Sequence, residues 1–157
     1  MIEKMPTRLG GWLILVGIYV VLAPIRISAQ IYMVYSKIYL SGLWSTLSGQ
    51  YSDEYHPAWK PILIGELTIN LFMVFAWAYL VFLYFLRKAS FRKWFIAMLI
   101  VTPALLLIDV LAISSIIFNK PKIDHETIVH LFRTSVAAAI LIPYMLVSRR
   151  ARETFIE

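Results

Sequence analysis

Four apolar runs divide the chain, and each is long enough for a helix to cross a bilayer's hydrocarbon, which takes about twenty residues. The first begins at Gly10-Gly11-Trp12 and continues through Pro24 and Arg26 to Tyr35, so residues 10–35 read as one long helix kinked at the proline. The second, residues 61–86, opens on Pro61 at a favourable helix start and carries Glu66 and Asn70. The third, residues 94–118, contains Pro103 and a single charged residue, Asp109. The fourth, residues 128–147, is interrupted early by Arg133 and reaches Pro143-Tyr144 just ahead of Arg149, Arg150 and Arg152. Between the first two runs, Tyr32, Tyr35, Tyr39 and Trp44 recur at nearly helical spacing, which suits segment 36–48 to lie along the membrane interface. Residues 49–57 read as turn and loop, and residues 119–127 as a short polar turn that includes His125. The pattern predicts an all-α fold, an integral-membrane four-helix bundle formed as a single domain over residues 1–157.

Composition agrees. Of the 157 residues 61% are hydrophobic and 15% charged, a balance suited to lipid rather than water. Charge then sets an orientation. The arm 1–9, the basic stretch Arg87–Lys93 and the C-terminal segment hold nine basic and three acidic residues between them, a balance of +6 that equals the net charge of the whole chain. The other two connections hold four of each sign and cancel. Basic connections stay in the cytoplasm, so both termini are expected there, which four crossings satisfy. That distribution, together with attraction for anionic lipid heads, accounts for the positive charge without nucleic acid. No cleavable leader is expected, because the first run lacks an Ala-x-Ala site and more spans follow it. Absent cysteines exclude thiolate metal sites and thiol nucleophiles.

Arg26, Glu66, Asp109 and Arg133 are the ionisable residues inside the spans, one per helix and neutral in sum. Arg26 lies about 21 Å beyond Trp12 along its helix, and Asp109 about 22 Å beyond Trp94, at about 1.5 Å per residue. Glu66 and Arg133 sit near the starts of two helices running the other way, so all four fall in the outer half of the bilayer. Charges in hydrocarbon usually pair or face a wet cavity, and one shared cluster is the economical arrangement. Asn70, four after Glu66, joins it, and Gln30 and His130 lie on the faces of Arg26 and Arg133.

Two readings stand. In the first, the cluster is ion-paired glue that fixes helix register in a non-enzymatic protein acting through lipid or protein contacts. In the second, Arg26 and Arg133 bind an anionic lipid or a small anionic metabolite, which a carrier or binding protein would hold. No nucleophile accompanies Glu66 and Asp109, so no enzyme is indicated. No histidine pair has ligand spacing, and neither metal nor cofactor is expected. Phosphate-loop, dinucleotide and nucleic-acid motifs are missing from the sequence, which leaves membrane lipids, a second copy of the chain or another membrane protein as partners.

Gly10-Gly11-Trp12-Leu13 with Pro24 downstream, Glu66-x-x-x-Asn70, the basic stretch before the third span, Asp109, and Arg133 followed by Ile142–Phe155 together resemble the DUF2569 family of bacterial inner-membrane proteins. The most specific part is Pro143-Tyr144, Ser148, Arg150, Thr154 and Phe155, with Ala151 where that ending usually has valine. The resemblance implies a four-helix protein of the inner membrane, and no activity.

Overall fold

A computed structural model describes residues 10–49, 57–116 and 125–155. The arm 1–9, residues 50–56 with His56, residues 117–124 with Lys120, Lys122 and Asp124, and the last two residues lie outside the described residues. Six helices follow one another: α1 (Trp12–Leu40), α2 (Leu43–Ser48), α3 (Trp59–Phe85), α4 (Ser90–Ile116), α5 (His125–Val147) and α6 (Arg149–Thr154), and no strand occurs among the described residues. α1, α3, α4 and α5 are each long and apolar enough to cross a membrane. Their outward faces are rich in large apolar side chains. Phe72 and Phe75 are each 71% exposed and Phe132 69%, an arrangement at odds with water and natural against acyl chains.

The helices are longer than the hydropathy runs. Nothing between Ser36 and Leu40 breaks a helix, and Lys37 in the last turn complements the helix dipole, so α1 passes Tyr35 and continues to Leu40. Gly42, at φ 73°, then turns the chain into α2, where Trp44 stacks on Tyr39 at 5.7 Å. Segment 36–48 is therefore the last turn of α1 plus a short second helix. α5 begins at His125, a turn earlier than the apolar pattern, with Glu126 favourably placed at its N-terminus. α3 stops in a Schellman motif: Lys88 N–H donates to Leu83 O and Arg87 N–H to Tyr84 O (both 3.1 Å), with Arg87 at φ 54°. So compact a stop lets α4 start at Ser90 and takes Arg92 and Lys93 into the helix.

α1 packs chiefly on α3, α3 on α4 and α4 on α5. The tight core lies at the end of the bundle that holds both ends of the described chain. Leu13, Val16 and Val20 of α1 meet Trp77 and Leu80 of α3 there, all 1% exposed or less. A run of rings continues the core, from Tyr19 against Trp77 (5.7 Å) through Phe95 and Phe91 (5.3 Å apart) to Phe155 (4.5 Å from Phe91). Tyr84 crosses between helices, its hydroxyl donating to Leu13 O at 2.8 Å, and Gly17 makes room for its ring.

The C-terminal segment closes this end. Arg92 donates to Met145 O (3.1 Å) and Arg152 to Leu146 O (2.7 Å), so two guanidiniums satisfy carbonyls that the end of α5 leaves without helical partners. Ser148 caps α6 by accepting from Ala151 N–H (3.3 Å), and Ala151, Thr154 and Phe155 are buried. Tyr144 packs on Trp12 at 6.2 Å, and a Cβ on Gly11 (φ 61°) would lie 3.2 Å from Arg150 Nη1. The Gly-Gly-Trp start of α1 and the C-terminal motif are thus one junction.

Candidate intramembrane site

The opposite half of the bundle is hollow. A cavity of about 270 Å³ opens between α1, α3 and α4, with His130 of α5 on its wall. Ile62, Ile69, Met73, Leu105 and Ile108 make most of it apolar, and Gly65 supplies no side chain to fill it. Six polar side chains line it: Gln30 from α1, Glu66 and Asn70 from α3, Thr102 and Asp109 from α4 and His130 from α5. Helix periodicity explains how α3 gives two of these, since residues four apart share a face. Glu66 and Asp109 are half-buried and within electrostatic reach of one another. Tyr35 pins α1 to α3 beside them by donating to Leu63 O at 2.7 Å.

A smaller cavity of about 30 Å³ adjoins the first and shares Ile27, Gln30, Thr102 and His130 with it. Tyr19, Ala23, Arg26, Trp77 and Thr134 line its remaining wall. Arg26 Nη2 lies 3.2 Å from His130 Nε2 and bridges α1 to α5. Guanidinium has no acceptor, so it is the donor, His130 Nε2 accepts, and the ring proton resides on Nδ1. Thr102 and Thr134 turn their hydroxyl protons to backbone carbonyls one turn back, Met98 O (2.7 Å) and His130 O (3.0 Å).

Of the seven residues the sequence singles out, Gln30, Glu66, Asn70, Asp109 and His130 come together on the larger cavity, and Arg26 reaches it only through His130. Arg133 does not join them. It lines neither cavity and is exposed. The buried stripe of α5 runs Thr134, Ala138, Leu141 and Met145, and His130 extends it by one turn. Arg133 falls on the other flank with Val136 and Ile140, both exposed to the lipid side. The expected ion-paired cluster needs the same correction: among the described residues no ion pair joins Arg26 or Arg133 to Glu66 or Asp109. Arg26 contacts an imidazole instead of a carboxylate. Nor does any group of three or more His, Asp or Glu among the described residues stand close enough to hold a metal.

The profile of the DUF2569 family, described as "Protein of unknown function", matches residues 6–156. The chain belongs to the DUF2569 family. No curated protein and no solved structure matches it. Within this DUF2569 protein, the residues of the C-terminal resemblance sit at the closed end, whereas Glu66, Asn70 and Asp109 sit on the cavity.

Two contributors escaped the sequence reading. Thr102 precedes Asp109 by seven residues, two helical turns, and that spacing was the available signal for a shared face. Trp77 had none, since an indole in an apolar span reads as core, and it is indeed 1% exposed.

Proposed function

We propose that this DUF2569 protein is a non-enzymatic, multi-pass protein of the bacterial inner membrane that binds an amphipathic molecule by an ammonium head group. The observation that carries the reading is the wall of the larger cavity, where two carboxylates and two amides face an apolar space and neither arginine of the spans takes part. A carboxylate in hydrocarbon is costly without a counter-charge, and two within reach of each other increase that cost. A cationic head supplies the missing partner, and Gln30 and Asn70 offer amide oxygens to its N–H groups. At about 270 Å³ the space takes a head group and the start of a chain, the remainder lying among lipid tails.

This reading displaces the anionic ligand, which needs guanidiniums where the carboxylates are. It leaves little to register-fixing ion pairs. The charge balance that places the termini in the cytoplasm puts the cavity in the outer half of the membrane, and the basic residues at the closed end then meet anionic lipid heads.

The test uses the full chain in lipid nanodiscs and native mass spectrometry, with dodecylamine and dodecanoate as probes. Dodecylamine should be retained in preference to dodecanoate, and the double variant Glu66→Gln, Asp109→Asn should lose about tenfold or more of that retention, the usual worth of a charge-assisted hydrogen bond. Equal retention of the two probes, or no effect of the double variant, refutes the reading.

A further inference from the structure

We infer that the larger cavity opens sideways into the lipid between α3 and α4, through a doorway left by Gly65, and that the ligand's hydrocarbon chain leaves by it. This rests on the larger cavity being the head-group site proposed above.

The doorway follows from the register of two antiparallel helices. Toward the closed end, Tyr79 of α3 meets Trp94 of α4, ring to ring at 6.2 Å. Both rings are about half exposed, so their contact marks the lipid-facing edge of the seam. Positions seven apart return to almost the same face of a helix. From that contact toward the hollow end, Phe72 and then Gly65 share the face of Tyr79 on α3, while Val101 and then Ile108 share the face of Trp94 on α4. Equal steps along antiparallel helices stay level. The edge of the seam is therefore built in three layers: Tyr79 with Trp94, Phe72 with Val101, and Gly65 with Ile108. The first two have a side chain on both helices. The third has one on α4 only, and there the seam meets the cavity, since Gly65 and Ile108 both line it.

Local structure gives Gly65 no other duty. It lies inside α3, where glycine is disfavoured against alanine. Glycine in a spanning helix commonly lets a neighbouring helix approach closely, but a Cβ built on Gly65 meets nothing within 4 Å. Gly17 shows the difference, because Tyr84 fills the room it leaves. The room left by Gly65 is open, and it lies beside Glu66 at the edge of the cavity.

The rest of the rim sorts by chemistry. Ile69 and Ile108 line the cavity and are 45% and 59% exposed, so they carry an aliphatic surface from the cavity toward the lipid. Tyr35 ties α1 to α3 through Leu63 O, and the rim between α1 and α5 is polar, with Gln30 exposed and Arg26 directed at His130. A chain that leaves past Gly65 stays against hydrocarbon throughout, whereas one leaving between α1 and α5 has to cross a guanidinium and an imidazole. The ligand is thus a membrane-borne amine with an unbroken hydrocarbon chain, which reaches the carboxylates from the bilayer.

The experiment uses the full chain in nanodiscs and a dodecylamine that carries a photoactivated diazirine at mid-chain. Irradiation labels what lies along the chain, and peptide mass spectrometry maps the adducts. The Glu66→Gln, Asp109→Asn variant supplies the background of probe dissolved in lipid. Adducts above that background should fall on residues 65–72 and 101–108 and exceed those on α1 and α5 severalfold. Gly65→Leu, which places a side chain in the doorway, should lower them by about tenfold, the least that a misfitting group against a pocket wall usually costs. Gly65→Ala should lower them by less. With no atom near the added Cβ, the alanine variant should unfold no earlier than wild type in mixed micelles.

Carboxylate-dependent adducts on α1 and α5, or spread evenly round the bundle, overturn the doorway and leave the acidic site standing. Undiminished adducts in both Gly65 variants overturn it as well. So does a loss of stability in Gly65→Ala, which would mark a glycine required for packing. If no adduct depends on the carboxylates, both readings fall together.

Discussion

Replacing Gly17 with alanine should loosen the closed end of the bundle by a calculable amount. A Cβ there would lie 2.6 Å from Tyr84 Oη, 2.7 Å from Cζ and 2.9 Å from Cε1, all far inside van der Waals contact. Tyr84 has little freedom to retreat. It is 4% exposed, its ring meets Phe91 at 5.4 Å and Phe155 at 5.8 Å, and its hydroxyl is tied to Leu13 O. Overpacking of this kind costs about 1–3 kcal/mol. Displacing the ring also breaks the Tyr84–Leu13 hydrogen bond, which inside a membrane is worth about 0.6 and at most about 1.7 kcal/mol. The usual gain of alanine over glycine in a helix largely cancels, because a spanning helix in detergent stays helical when the bundle comes apart. The expected loss is therefore about 2–4 kcal/mol. Reversible unfolding in mixed micelles, followed by tryptophan fluorescence, measures it directly. The decisive control is the Tyr84→Ala background, where the three atoms nearest the new methyl are gone and Gly17→Ala should cost far less. An equal cost in both backgrounds would refute the steric account.

Two further outcomes are expected beside the binding experiments. Arg133→Ala should change stability by no more than about 0.5 kcal/mol in the same unfolding assay, the usual range for an exposed side chain; a loss well beyond that would restore it as a structural charge. Because the sequence holds no cysteine, single cysteines report topology without background. Lys88→Cys should react with an impermeant thiol reagent only from the cytoplasmic face and Ser41→Cys only from the opposite face, and the reverse pattern would sink the orientation drawn from charge.

Much of the architecture was legible because lipid imposes a coarse code. Length and apolarity alone mark a crossing, and the four runs correspond to α1, α3, α4 and α5. Helix ends were less legible, because they depend on local geometry that hydropathy does not record. Ser36–Leu40 looks interfacial yet continues α1, and Arg87 in a left-handed turn ends α3 so sharply that Arg92 and Lys93 become helical. The candidate site followed the same division. Spacing of four placed Glu66 with Asn70 and Arg26 beside Gln30, but spacing of three from His130 failed for Arg133. The two offsets fall on opposite flanks of a residue, and only packing decides which flank is buried. In α5 the packing chose Thr134. Ion pairing was the other failure. Equal numbers of opposite charges at one depth invite pairing, but depth says nothing of azimuth, and azimuth sends Arg26 to His130 while Glu66 and Asp109 face the cavity.

The two ends of the bundle differ in kind. At the closed end polar groups are matched: Tyr84 to Leu13 O, Arg92 and Arg152 to the last carbonyls of α5, Ser148 to α6. The match is not complete, since Arg92 Nε is buried there without a hydrogen-bond partner, but among the described residues no carboxylate is buried unpaired at that end. At the hollow end the pattern reverses. Among the described residues Glu66 and Asp109 have no cationic partner, and Arg26 contacts His130 instead. Two carboxylates without cations on the wall of one cavity make poor glue. They complement a cationic guest. Substitutions at the two ends should therefore separate by readout, with those of Gly17 or Tyr84 moving unfolding, and those of Glu66 or Asp109 moving ligand retention.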